Sequence, residues 1–360
     1  MRELEVRRRS RARSSGRGRV RHLLPVALAV ALTALTFAFV LPRIASYRDV
    51  WDVVRGLSWL SILAVAGATV LNILTFAPPW MACLPGLGMW RALLVTQAST
   101  ASTYVAPGGA APGMAVSFAM LRGWGYTARQ VAVTVAVTGV WNQLVIFGSP
   151  AVALALLTVV GERNPLLQTF ALAGLVVFVA AVALFAAALA SADLARWAGD
   201  LAARAAALAQ RLARRGPVRF DGESLVRFRT DTLELLGRRW HVLTAGALAG
   251  QLSVFFVLWV CLRVIGVSSG ALTGVEIFSS WSIVRVLGSL PITPGGIGVV
   301  ELGLTSLLVG FGGGHAKVVA GVLLYRFLTV VPTLLLGFVA AVTWRRHHPG
   351  AMAGAAPRVD

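Results

Sequence analysis

Four ionisable side chains stand within apolar stretches, and they are where chemistry is first to be sought: Glu276, Arg285, Glu301 and Arg326. A charge at the centre of a membrane helix costs roughly 2.5–3.5 kcal/mol on insertion scales, so each needs a partner or a task. Glu276 and Arg285 precede a break at Pro294-Gly295-Gly296, and Glu301 follows Pro294 by seven residues. Arg326 lies about ten residues, roughly 15 Å, into the last apolar run, near mid-membrane. A Glu301–Arg326 pair would let each offset the other's desolvation. Two readings stay open. One is a buried ion pair fixing the broken segment against the last helix. The other is a polar lining for a charged headgroup, with Arg285 and Arg326 on phosphate and Glu301 on an amine or a proton. Arginine's planar fork suits phosphate. Pro294, Gly295, Gly296 and Gly298 would add exposed backbone groups to that substrate-binding site, whereas Glu276, near an outer end, is expected to face water.

Enzyme signatures are absent: the chain has no Walker A motif, HExxH, CxxC or GxSxG. The histidines (His22, His241, His315, His347, His348) do not cluster at ligand spacings. No catalytic residue, metal or cofactor is expected. Cys83 and Cys261, the two cysteines, lie in or beside apolar runs and read as reduced packing residues.

The elements that must hold these charges are membrane helices. The 360 residues are 57% hydrophobic and 13% charged, against about 45–50% and 25% in a soluble globular domain. That class is excluded, and an all-α polytopic membrane protein is implied. The formal charge of +19 does not point to nucleic acid, because the arginines gather between apolar spans. Nine fall in residues 1–22, ten in 191–239 and three in 343–360, the distribution of cytoplasmic segments under the positive-inside rule.

Full spans are expected at Leu23–Leu41, Trp59–Pro79, Gln130–Leu157, Leu166–Ala190, Trp240–Leu262 and Ala316–Val342. The first follows a basic, Arg/Ser/Gly-rich stretch (1–22), expected to be disordered. That run is long for a signal peptide and no small-residue cleavage site follows, so it reads as a retained span. Two further stretches are interrupted. Ala92–Ala106 carries Gln97, Ser99, Thr100, Ser102 and Thr103, breaks at Pro107-Gly108-Gly109 and resumes as Met114–Leu121. Ala271–Leu290 breaks at Pro291 and Pro294-Gly295-Gly296 and resumes as Ile297–Phe311. Proline and paired glycines leave backbone groups unpaired, tolerable at membrane depth only inside protein or along a cavity. Both stretches, 92–121 and 271–311, therefore read as re-entrant or broken-helix hairpins.

A shift of 187 residues lays Pro107-Gly108-Gly109 on Pro294-Gly295-Gly296, Leu121 on Leu308, Gly123 on Gly310 and Gly125 on Gly312. Each half then reads span, broken hairpin, span, with opposite orientation in the membrane, an inverted-repeat plan. The halves are 23–190 and 240–342. Between them, 191–239 is a basic cytoplasmic connector, in which Asp193–Arg215 has the pattern of an amphipathic surface helix. The tail, 343–360, is expected on the same side. Under the shift, Glu301 and Arg326 correspond to Met114 and Gly139, so any site is weighted toward the second half.

The run Leu290-Pro291-Ile292-Thr293-Pro294-Gly295-Gly296-Ile297-Gly298-Val299-Val300-Glu301-Leu302-Gly303, followed by Leu324-Tyr325-Arg326-Phe327, resembles the signature of one family. That is the flippase-like family typified by the membrane region of lysylphosphatidylglycerol synthases. The resemblance covers roughly residues 20–345, in outline only in the first half, and Glu301 and Arg326 stand where the family carries its Glu and Arg. It implies about eight membrane helices with re-entrant elements, and movement of a polar-headgroup lipid between leaflets. It also implies that this chain, ending at Asp360 without the aminoacyl-transferase domain of those synthases, does not itself make lysyl-lipid. Anionic membrane lipids are the expected partners, with a lipid- or glycan-synthesising membrane enzyme a further one. Arginine in place of lysine throughout, with Lys317 alone, points to a high-GC bacterium and its cell membrane, both termini cytoplasmic. Two rivals stand beside lipid translocation: a non-transporting scaffold for an envelope-lipid or polysaccharide enzyme, and a small-solute secondary transporter.

Overall fold

The computed structural model describes residues 55–105, 110–161, 165–191, 193, 222–290 and 293–347. Outside them lie residues 1–22, the expected span Leu23–Leu41, the break Pro107-Gly108-Gly109, all but the first residue of the Asp193–Arg215 segment, and the tail from 348. Among the described residues every regular element is helical. In chain order they are α1 (Trp59–Thr75), α2 (Pro78–Cys83), α3 (Met89–Val105), α4 (Ala111–Gly123), α5 (Ala128–Val160), α6 (Pro165–Ala190), α7 (Gly222–Val264), α8 (Gly274–Ser289), α9 (Val299–Gly310) and α10 (His315–His347), with a 3₁₀ turn at Pro294–Gly296.

Local chemistry sets the boundaries. Helix α5 starts in a capping box: the Gln130 N–H donates to the Thr127 hydroxyl at 3.2 Å and the Thr127 N–H to Gln130 Oε1 at 2.9 Å. It ends at Gly161, left-handed at φ 86°. Helix α8 repeats the box with Thr273 and Glu276, whose Oε2 accepts the Thr273 N–H at 2.6 Å. Glu276, expected to face water, thus serves as a helix cap. Hydroxyls inside the apolar helices are satisfied by carbonyls of the preceding turn, as with Thr138 on Thr134 (2.7 Å) and Ser279 on Val275 (2.8 Å). Such bonding lets hydroxyls sit in a medium that offers no water.

Helix length separates crossing helices from the others. Helices α5 and α10 have 33 residues each, about 50 Å, well beyond a hydrocarbon core of about 30 Å. Four described stretches are long and apolar enough to cross a membrane: Trp59–Cys83, Ala128–Val159, Phe228–Val264 and His315–Ala341. The arms on either side of the breaks are shorter. They have 17 and 13 residues for α3 and α4 and 16 and 12 for α8 and α9, all under about 26 Å. A shift of 187 residues carries α5 onto α10 end to end, and α4 onto α9 to within a residue.

The chain is a membrane protein, and its helices meet through small residues. Helix α3 packs along α10, where a Cβ on Gly337 would fall 3.0 Å from the Gln97 carbonyl and against Ala101. Helix α1 packs on α7, with Asn72 Nδ2 donating to the Ser253 hydroxyl at 2.9 Å. Gly246 of α7 lies against Pro79 and Gly174 of α6 against Pro150. Close backbone approach and a few interhelical hydrogen bonds replace the hydrophobic drive that lipid cannot supply. One core gathers α1, α7, α8, α9 and α10 around Trp281, Leu258 and Leu308, and another joins α3, α4 and α5 to the end of α10 around Val95, Leu121 and Trp344.

One boundary differs from the sequence reading. The fifth full span was expected from Trp240, after a connector reaching residue 239, yet α7 is continuous from Gly222 for 43 residues. The extra turns are held from the side. Asp231 forms an ion pair with Arg129 at the start of α5, and Arg229 donates to the carbonyls of Leu189 (2.7 Å) and Ala190 (3.2 Å), closing the end of α6. Cys83 and Cys261 are buried free thiols.

Gly337→Val is expected to wedge α3 from α10 and lower stability by about 1–3 kcal/mol. Thermal unfolding of the purified protein in detergent checks this, and an unchanged Tm would refute the close α3–α10 contact.

Candidate functional site

The second break is a turn of three left-handed glycines: Gly295 (φ 61°), Gly296 (φ 66°) and Gly298 (φ 85°). Such backbone is open to glycine and strained for most other residues. The turn leaves polar backbone groups outside any helical ladder, and two charged side chains take up two of them. Glu301, in the first turn of α9, accepts the Gly298 N–H on Oε2 at 2.7 Å. Arg326, in α10, donates from Nη2 to the Gly295 carbonyl at 3.1 Å. The two then close on each other, Arg326 Nε to Glu301 Oε1 at 2.6 Å, with Glu301 1% and Arg326 6% exposed. Charge-assisted bonds of this kind are about twice as strong as neutral ones.

The first half reaches the same point through Tyr104, next to last in α3. Its ring lies under the Arg326 guanidinium, 6.0 Å from ring centre to Cζ, a cation–π distance. It also occupies the space where any Cβ at Gly295 would project. The second break is thereby clamped between α3 and α10.

Arg285 stands apart from this pair. Half-buried on α8, it donates from Nε to Gln251 Oε1 at 3.0 Å, and Gln251 Nε2 donates to Asn142 Oδ1 at 2.5 Å. That relay crosses α8, α7 and α5. Among the described residues Arg285 has no carboxylate partner. It borders two spaces. One is a cavity of about 790 Å³ between the ends of α3 and α4, the walls α5 and α6, and the second break. The other is an inner recess of about 30 Å³ lined by Tyr104, Trp281, Arg285, Tyr325 and Arg326. The large cavity has Thr103, Asn142, Gln143, Arg285 and Ser289 among apolar walls and is open to the surface; Leu184, which lines it, is 68% exposed. A further space of about 220 Å³ continues from it past Thr103, Asn142 and Ser117 toward α2.

Of the residues singled out in the sequence, Glu301, Arg326 and the turn Pro294–Gly298 form one unit, and Arg285 faces the large cavity that Arg326 does not reach. Pro107, Gly108 and Gly109 lie outside the described residues. Met114 and Gly139, the positions matching Glu301 and Arg326, both line the cavity. Sequence reasoning did not single out Tyr104, Gln251 or Trp281. A lone amide in the apolar run from Trp240 was the available sign of Gln251. For Tyr104 the sign was an aromatic just ahead of the first break.

Residues 26–337 match the family described as the lysylphosphatidylglycerol synthase TM region. The chain belongs to that family. No curated protein matches it. In this member of the lysylphosphatidylglycerol synthase TM region family, Glu301 and Arg326 are tied to each other and to the turn. The match spans both breaks and the cavity between them.

Removing one partner of a buried ion pair strands the other, at about 3–5 kcal/mol. Glu301→Ala and Arg326→Ala are each expected to destabilise the protein on that scale, and the double variant by clearly less than their sum. Unfolding in detergent across the double-mutant cycle checks the coupling; additivity to within about 0.5 kcal/mol would mean that the pair is not a unit.

Proposed function

We propose that the protein moves a polar-headgroup lipid between leaflets, the headgroup travelling through the large cavity while the acyl chains stay in the bilayer. The observation that carries this reading is the cavity itself. About 790 Å³ of space lies where both broken helices end, apolar apart from Arg285, Thr103, Asn142, Gln143 and Ser289, and it is open to the surface, with the lining residue Leu184 exposed. A headgroup needs polar contacts and room within the membrane, and an opening to the side spares the acyl chains any passage through protein. A closed site for a small solute would not need that opening.

Under this proposal the breaks are re-entrant hairpins of two inverted repeats, and the site lies at the repeat interface near the midplane. The helix correspondence under the 187-residue shift supports the repeat. Glu301 and Arg326 act as positioning residues that keep the turn formed, and Arg285 faces the headgroup. Membership of the family supports a task in lipid handling rather than aminoacyl transfer. The arginine distribution supports a bacterial cell membrane with both termini on the cytoplasmic side.

Leaflet exchange of fluorescent phospholipids in proteoliposomes tests the proposal. Wild-type protein is expected to accelerate exchange over empty liposomes. Arg285→Gln should slow it by about an order of magnitude, having lost a charge-assisted contact. Arg238→Gln should leave it unchanged, because Arg238 is exposed and, among the described residues, is paired with Glu234 one turn away (3.4 Å). No exchange above empty liposomes across several lipid classes would overturn translocation.

A further inference from the structure

We infer that the site selects an anionic, phosphate-bearing lipid headgroup, seated at Arg285, and disfavours the cationic lysyl headgroup named in the family's description. The inference rests on the proposed lipid path and adds the chemical class of its cargo.

The charge inventory of the cavity carries it. Among the described residues lining the large cavity, Arg285 alone is ionised, and none is acidic. The two carboxylates of the second half are spoken for elsewhere. Glu301 is 1% exposed and held by Arg326 and the Gly298 N–H, and Glu276 caps the far end of α8. A lysyl ammonium entering this space would meet, among the described residues, no carboxylate and one guanidinium, and like charges in a medium of low dielectric repel strongly.

The donors at the cavity's inner edge point the same way. Arg285 spends its Nε on Gln251, and neither terminal nitrogen has a hydrogen-bond partner among the described residues. Beside it, lining the same recess, Trp281 is 2% exposed and its Nε1–H has no acceptor among the described residues. An indole N–H can only donate. The recess, at about 30 Å³, has room for one oxygen-sized group and adjoins the large cavity through Arg285, Gly288 and Gly295. A free guanidinium fork next to a buried, donor-only group calls for a ligand rich in acceptors and negative in charge. A phosphate with one oxygen turned into the recess supplies both. Apolar cavity walls and the opening to the surface favour a phosphate carried on a lipid over a free one.

Equilibrium binding tests the selection separately from transport. Full-length protein in detergent is titrated with tail-matched phosphatidylglycerol, phosphatidylcholine and lysylphosphatidylglycerol, and occupancy is read by native mass spectrometry. Wild type is expected to bind phosphatidylglycerol at least about tenfold more tightly than the lysyl lipid. Arg285→Gln should level the two, and Arg285→Lys should keep the order; gel-filtration profile and Tm establish that each variant is folded. Equal or tighter binding of the lysyl lipid by wild type would overturn the inference, as would a preference unchanged in folded Arg285→Gln. Displacement of phosphatidylglycerol by millimolar inorganic phosphate would overturn the lipid as the source of the phosphate. Leaflet exchange without charge preference would sink the selection and leave translocation standing. Charge-selective binding without exchange would do the reverse.

Discussion

A helix interrupted inside a protein interior must have its loose backbone groups satisfied by protein, and in this molecule one buried ion pair takes up two of them at the second break. Glu301 takes the amide at Gly298, Arg326 takes the carbonyl at Gly295, and each neutralises the other. The arrangement explains why two charges are kept in an apolar interior. Either alone would be a heavy liability, and the pair without the turn would be a needless one. With the turn they form a closed polar unit, and what surrounds it can be apolar. The position of α10 against α9, and the approach of α3 through Tyr104, follow from where that unit sits.

Under the 187-residue shift the two halves carry different residues at the matching positions. Where the second half carries Glu301 and Arg326, the corresponding positions of the first half are Met114 and Gly139, and there the structure has space in place of an ion pair. Asn142 and Arg285, which both line the cavity, are joined through Gln251 by a relay across three helices that holds the guanidinium by its Nε.

Much of this could be read from the chain. Helices α5 and α10 lie within a few residues of the expected spans, because long apolar runs bounded by Thr127, Gly161 and the Gly312–Gly314 turn have few alternatives. The charges of the site were legible for a related reason, since an ionisable side chain in an apolar run is costly enough to demand an explanation. The start of α7 was not legible: polar, arginine-rich sequence reads as connector, and only the Arg129–Asp231 pair and the grip of Arg229 on the end of α6 show it as helix. Nor was the division of labour between the arginines. It depends on Gln251 reaching both Arg285 on the next helix and Asn142 on α5, 109 residues earlier in the chain.

The ring of Tyr104 filling the space above Gly295 has a consequence for how such sequences drift. The two positions form a single heritable unit, although they belong to opposite halves of the chain. A side chain gained at 295 has nowhere to go until the ring at 104 is lost. Even then the left-handed backbone at 295, with φ 61°, admits Asn or Asp far more readily than a branched residue. Among descendants of this chain, a bulkier residue at 295 should therefore follow a smaller one at 104 and seldom precede it. The cation over that ring would then lose its platform, so the history of a turn in the second half is recorded in an aromatic of the first.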